Sequence, residues 1–191
     1  SECIAGSEVL VVGVGGIGRA IGRKLGGLGC TVRGVGRSAR PGGSDFCEIY
    51  GQKKLDQLLK GADYVVAAAP LTKETRGIFG TAQFASMKQS ARFINIGRGF
   101  LIDEDALVNA LQNNLIAGAA LDVFQTEPLP ANSPLWRMGN VIVSPHMSGD
   151  YKEYKSALAS LFLDNLNRFL TGTPLINVVD KSLGFVPSQN S

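Results

Sequence analysis

VLVVGVGGIGR, Val9 to Arg19, joins four apolar strand-forming residues to a run of glycines and then to the first turn of a helix. Within Gly13-Val14-Gly15-Gly16-Ile17-Gly18, Gly13 permits a sharp turn, Gly15 leaves bare backbone for a phosphate to approach, and Gly18 lets the helix press against its strand. Backbone N–H groups at the helix start, those of Gly16 and Ile17 included, then face an anion, and the helix dipole adds to their pull. Such a turn is built to hold a pyrophosphate. A chain with 24 glycines can produce this spacing by accident, so the pattern draws its weight from the residues downstream of it.

With 191 residues, 45% of them apolar and 18% charged, the chain is long enough to bury a core of one domain with an appendage. Its 19 basic and 16 acidic residues are scattered, with no basic arm or stripe suited to nucleic acid. Cys3, Cys30 and Cys47 are odd in number and show no metal-ligand spacing. They read as free thiols acting as small core hydrophobes in a reducing, cytoplasmic compartment, and no metal site is expected. No apolar run approaches the roughly 18 residues that span a bilayer, and no charged-then-apolar leader opens the chain, so no membrane partner is expected.

Along the chain the hydrophobic period alternates between that of strands and that of helices. Ile21, Leu25 and Leu28 share a helical face over Arg19 to Leu28, Thr31 to Val35 is a second strand, Arg40 to Ser44 is loop, and Lys54 to Leu59 is a short helix stopped by Gly61. Tyr64 to Ala69 is continuously apolar, as a strand buried on both faces should be, and Pro70 ends it. Arg92 to Ile96 is a fourth strand. Asp103 caps a helix with Glu104 and Asp105 in its first turn and Leu107, Ala110 and Leu111 on its buried stripe. Ala117 to Val123 and Val141 to Ser144 are further strands, separated by a loop, Gln125 to Gly139, that carries three prolines. Strands alternating with helices imply an α/β fold, a doubly wound and mostly parallel sheet of the Rossmann type. Ligands on such a sheet sit at the carboxyl ends of its strands, and Arg37, Pro70, Arg98, Asp122 and His146 all fall there, on the rim that carries the glycine turn.

The series GVGGIGR, PLTKETRG, MKQSARFINIGRG, LIDEDALVNAL, AGAALDVFQTEPLP and NVIVSPH resembles the cofactor-binding domain of the D-2-hydroxyacid dehydrogenases over Val9 to about Asp180. The resemblance, which is of the glyoxylate/hydroxypyruvate reductase kind, implies an oxidoreductase that moves a hydride between a nicotinamide dinucleotide and a small 2-keto or D-2-hydroxy acid, with glyoxylate, hydroxypyruvate and longer 2-keto acids equally open. It implies Arg98, Glu127 and His146 as catalytic residues. It also implies cofactor contacts from Gly13, Gly15, Gly16, Ile17, Gly18, Arg37, Ser38, Arg40, Pro70, Thr75, Ile96 and Asp122, and a homodimer. Its relatives include transcriptional corepressors of the same fold, which leaves a dinucleotide-sensing interaction module as the alternative function.

These roles make chemical sense. A guanidinium fork at Arg98 matches a carboxylate, an imidazole at His146 can donate a proton in reduction and accept one in oxidation, and Glu127 can orient that ring. Each residue alone has an ordinary reading: a structural histidine, a solvent-facing turn arginine, a solvated loop carboxylate, and for Asp122 a strand-end cap. Their shared order on one rim favours the functional one.

Cofactor preference is legible at the end of the second strand. Where NAD-specific members of the family carry an acidic residue for the ribose hydroxyls, this chain has Gly36, followed by Arg37 and Ser38. Arg37 can pair with a 2′-phosphate and stack on adenine, Ser38 adds a donor and Arg40 adds charge, so NADP(H) is expected over NAD(H). Towards the carboxyl end, Leu158, Leu161, Phe162, Leu166 and Phe169 follow helical spacing between Asp150 and Leu170, until Gly172 and Pro174 stop the helix. The expected organisation is a dinucleotide-binding domain at 1–149, a helix and return segment at 150–180, and a loose tail at 181–191. Because the first cofactor strand comes almost at once, the substrate domain is expected to be largely absent, and the chain to bind dinucleotide while turning over slowly or not at all by itself.

Overall fold

The computed structural model describes residues 3–186. Contacts divide the chain into two units, Ser1–His146 and Met147–Ser191.

In the first unit the strands are β1 (Glu8–Val12), β2 (Thr31–Gly36), β3 (Arg40–Pro41), β4 (Glu48–Gly51), β5 (Tyr64–Ala67), β6 (Arg92–Asn95), β7 (Gly118–Leu121) and β8 (Val141–Val143). They form one sheet in the order β3-β4-β2-β1-β5-β6-β7-β8, in which every pairing is parallel except β3 with β4. The helices α1 (Gly16–Gly27), α2 (Leu55–Leu59), α3 (Thr81–Ser86) and α4 (Glu104–Gln112) supply the crossovers. From β1 the chain runs outward to β2 on one side and later returns to β5 on the other. The strand order therefore reverses at the carboxyl end of β1, where a doubly wound sheet opens its ligand crevice.

Side-chain alternation along β1 explains why both faces are covered. Leu10 and Val12 belong to one core with Val65, Phe84, Phe93, Leu107 and Leu111, whereas Val9 and Val11 belong to a second with Val32, Phe46 and Ile49. The first core is tied by a ring cluster in which Phe93 meets Phe79 at 4.9 Å and Phe84 at 5.3 Å, both edge-on.

The structure corrects several sequence expectations. The stretch 40–44 is not all loop, since Arg40 and Pro41 pair antiparallel with β4, a strand too short for its alternation to register. Helix α3, six residues anchored by buried Phe84, carries too little periodicity to be seen. Helix α1 begins inside the glycine run and ends at Gly27, so Leu28 falls beyond it and is exposed rather than part of a buried face. Of the cysteines only Cys30 is a core residue; Cys3 and Cys47 are exposed.

In the second unit α5 (Tyr154–Leu170) ends where Gly172 takes a φ of 66°, the left-handed conformation that closes helices. Asn165 clasps the return segment, donating to the Ile176 carbonyl at 3.1 Å and accepting from the Ile176 N–H at 2.9 Å. Of the tail expected to be loose, residues 181–186 form a turn around Asp180, whose carboxylate accepts from the backbone N–H groups of Ser182 and Leu183. Residues 187–191 lie outside the described residues.

Candidate functional site

The glycine turn follows β1 directly. Gly13 has a φ of +108°, and a Cβ there would lie 2.4 Å from the Ala69 nitrogen, so both conformation and space exclude a side chain. A Cβ on Gly18 would sit 1.9 Å from the Gly13 carbonyl oxygen, which shows how tightly α1 is drawn onto the turn. Gly15 and Gly16, in contrast, have nothing within 4 Å on their open side, and Ile17 is exposed. The first N–H groups of α1 thus border a space that admits a ligand's phosphates, the cradle a pyrophosphate needs.

At the far end of the crevice β2 closes with Gly36, and Arg37 and Ser38 are exposed just beyond it. Arg40, brought back by the β3–β4 pairing, places its Nη1 3.6 Å from the point that a Cβ on Gly36 would occupy. A guanidinium nitrogen therefore lies within contact distance of the place a side chain at this position would start from. The wall beyond β5 is the turn Pro70–Gly77. Its Thr75 hydroxyl donates to the Pro70 carbonyl at 2.6 Å and accepts from the Thr72 N–H at 2.8 Å, so this predicted cofactor contact spends its hydroxyl on closing its own turn. Ile96 is half-buried and is held by its N–H on the Ala67 carbonyl at 3.1 Å.

Arg98 stands exposed on a turn wired from beneath. Asn95, fully buried at the end of β6, accepts from the Gly97 N–H and donates to the Arg98 carbonyl, each at 3.1 Å. Next along the rim, the buried Asp122 carboxylate accepts from the Ser144 hydroxyl at 2.5 Å, joining the ends of β7 and β8.

Glu127 and His146, nineteen residues apart in sequence, meet at 2.7 Å between Oε2 and Nδ1. The other carboxylate oxygen accepts from the Phe124 N–H at 2.9 Å. The bond to His146, then that to Phe124, hold the Glu127 carboxyl below its usual range against the opposing effect of burial, and the charges of His146 and Arg98 act in the same direction. Because an ionised carboxylate only accepts, the proton of this pair lies on Nδ1, which leaves Nε2 as the ring nitrogen available to another molecule. His146 itself takes a φ of 54°, an uncommon left-handed conformation for a residue with a side chain.

The profile of the D-isomer specific 2-hydroxyacid dehydrogenase NAD binding domain matches residues 1–148. The chain belongs to this family. It is 48% identical over 126 residues to a glyoxylate/hydroxypyruvate reductase B of Citrobacter koseri, covering 66% of this chain and 39% of that one. To the reductase of the same name from Escherichia fergusonii it is 40% identical over 176 residues, covering 89% of this chain and 52% of the relative. Its fold matches a solved family member from Xanthobacter autotrophicus Py2 in complex with NADPH and MES, with a TM-score of 0.84 and 38% identity over 94% of this chain and 73% of that one. It also matches an NADPH-dependent glyoxylate/hydroxypyruvate reductase from Sinorhizobium meliloti in complex with NADP and sulfate, with a TM-score of 0.85, 36% identity, and coverage of 94% and 57%. The chain thus spans about half the length or less of these curated relatives.

Within this dehydrogenase domain, the structure adds residues that sequence patterns left unmarked. Asn95 is one and Ser144 another, both polar residues at strand ends where their neighbours draw attention first. Glu104, marked in the sequence only as a first-turn acid, gains a further role: its Oε2 accepts from the Gln125 N–H at 3.2 Å while the Gln125 amide donates to the Ile102 carbonyl at 2.8 Å. These bonds tie the loop bearing Glu127 to the start of α4. A buried asparagine ahead of a glycine-flanked arginine was the available signal, because an amide in a core position needs nearby backbone partners.

Proposed function

We propose that this chain is the cofactor-binding part of an NADP(H)-preferring reductase of small 2-keto acids, working in the cytoplasm as a homodimer. The observation that carries the reading is the 2.7 Å Glu127–His146 bond on the same strand-end rim as the glycine turn. Gly13, Gly15, Gly16, Ile17 and Gly18 would hold the pyrophosphate, and Arg37, Ser38 and Arg40 the 2′-phosphate. Pro70, Thr75, Ile96 and Asp122 would flank the rest of the dinucleotide. The chemistry that the nicotinamide supplies when bound is hydride donation.

The chain's own residues do the remaining work. Arg98 binds the substrate carboxylate through its guanidinium fork and draws electron density from the neighbouring carbonyl. His146 gives a proton from Nε2 to the carbonyl oxygen during reduction and takes one back in oxidation. Glu127 holds the ring through Nδ1, fixing which nitrogen faces the substrate. Three free cysteines suit a reducing compartment, and among the described residues no helix is long and apolar enough to cross a membrane.

The chain spans about half the length or less of its curated relatives, so the 191 residues alone are expected to bind dinucleotide but to turn over well below a typical kcat of about 10 s⁻¹. The test is NADPH oxidation by the full-length gene product with a panel of glyoxylate, hydroxypyruvate and longer 2-keto acids. Saturable reduction of a small 2-keto acid supports the reading, and absence of reduction across the panel by protein that binds NADPH overturns it.

A further inference from the structure

We propose that Glu74 is a specificity-determining residue of the dinucleotide site. Carried by the 70–77 turn to the Arg37 end of the crevice and tied there by Gln52, it opposes a 2′-phosphate and favours a free ribose hydroxyl. This rests on the reading of Arg37 as the 2′-phosphate partner.

The juxtaposition is built from backbone. Gly51, the last residue of β4, pairs in register with Gly36, and the space beside it is bounded by the Ala39 nitrogen at 3.6 Å and the Arg37 carbonyl oxygen at 3.9 Å. The next residue, Gln52, reaches across and donates from Nε2 to the Glu74 carbonyl at 2.9 Å. One glutamine side chain therefore ties the turn after β5 to the end of β4, which lies beside the tip after β2.

The turn holds its own shape. Thr72 and Thr75 exchange backbone-to-hydroxyl bonds at 2.8 and 3.3 Å, and the Arg76 N–H donates to the Thr72 carbonyl at 3.0 Å. Glu74 stands exposed near its apex with Oε2 accepting from the Thr72 hydroxyl at 2.8 Å. That bond first, with the charges of Lys73 and Arg37 contributing, holds the Glu74 carboxyl below its usual range, so it is ionised at neutral pH.

Charge then sets the direction of the effect. Gly36 lacks the carboxylate that would accept from ribose hydroxyls and repel a phosphate, and Glu74 supplies one from a different segment. A dianionic 2′-phosphate drawn to Arg37 and Arg40 meets a like charge across solvent, whereas the uncharged hydroxyl of NADH does not. Across several ångströms of water, one carboxylate facing a dianion is worth about threefold to tenfold in affinity.

The experiment measures dissociation constants of NADPH and NADH for the wild-type chain, Glu74→Gln, Gln52→Ala and Arg37→Ala at low and high salt. Glu74→Gln keeps the acceptor for Thr72 and removes only the charge. It is expected to tighten NADPH about threefold to tenfold, leave NADH unchanged or weaker, and lose much of this gain in high salt. Gln52→Ala, which frees the turn, is expected to move the ratio the same way by less. A ratio unmoved by Glu74→Gln, or NADPH weakened by it, overturns the inference if Arg37→Ala still abolishes the NADPH preference. A ratio that Arg37→Ala does not change overturns the reading of Arg37 itself.

Discussion

Replacing Asn95 by alanine tests whether the turn that presents Arg98 is held from below. Asn95 is completely buried and satisfies two backbone groups of that turn, the Gly97 N–H and the Arg98 carbonyl. The two losses are unequal. The Arg98 carbonyl also accepts from the Leu101 N–H at 3.1 Å and keeps that partner, so it forfeits one net hydrogen bond, about 0.5–1.5 kcal/mol. Gly97 is buried and its N–H is left without an acceptor, at about 1–3 kcal/mol. Asn95→Ala should therefore cost about 2–4 kcal/mol, a large share of the roughly 5–15 kcal/mol that holds a domain together. Trp136, the single tryptophan, lies in the same unit and reports its unfolding by fluorescence. With a urea m-value of about 2 kcal/mol/M the midpoint should fall by about 1–2 M at unchanged m. Asn95→Asp keeps the acceptor for Gly97 but turns a second carboxylate oxygen towards the Arg98 carbonyl. Its deficit at pH 7 should match or exceed that of alanine and shrink as the medium is acidified and the new carboxyl takes up a proton. A loss under about 0.5 kcal/mol for alanine, or wild-type stability for the aspartate variant at pH 7, would refute a turn held through Asn95.

Gly99→Ala would put a Cβ 1.9 Å from the Phe124 carbonyl carbon, against backbone that cannot step aside. Since the Phe124 N–H also holds Glu127, thermal unfolding should show a loss of about 1–3 kcal/mol or more, and full-length enzyme carrying the change should lose turnover. His146→Asn suits the left-handed backbone at this position better than alanine, so it should fold normally, bind NADPH with unchanged affinity and lower kcat by about 10²- to 10⁴-fold. Asp45, buried and bonded by Arg19 at 3.1 Å and Arg23 at 3.0 Å, has its carboxyl held below the usual range, chiefly by the Arg19 bond. A carboxyl lowered in the folded state stabilises above its unfolded value, near 4, and loses that contribution as pH falls through the folded one. The stability gap between wild type and Asp45→Asn should therefore stay level from pH 7 to about 5 and narrow below about 4; denaturant titrations at several pH values that show it widening would count against the ion pairs.

The parts of this fold that could be read from residues alone are those with strong local physics. Continuous apolar runs at β1 and β5, glycines at the turn, and an aspartate cap whose side chain accepts from the Ala106 N–H all announce themselves in sequence. The β3–β4 pair and α3 do not, because strands of two and four residues and a helix of six hold too few side chains for a period to emerge. The rim followed from strand ends, and the family resemblance pointed to Arg98, Glu127 and His146 with Glu127 orienting the ring, but the residues alone could not show how the Glu127–His146 contact is held. That contact depends on the loop from Asp122 to Glu127, set by Gln125 on α4's first turn and by Phe124 on the carboxylate. Gln52 was invisible for a related reason: it acts through the Glu74 carbonyl of another segment, and that partner is decided only when the sheet assembles.

Cofactor choice is decided by what the far end of the crevice holds. Calorimetric titration of the 191-residue chain with NADPH and with NADH, at one salt concentration and neutral pH, measures it without requiring turnover. Charge-assisted bonds from Arg37 and Arg40 to a 2′-phosphate, at about 1.5–3 kcal/mol, predict that NADPH binds about tenfold tighter or more. Equal affinities, or tighter binding of NADH, would contradict a 2′-phosphate site at Arg37.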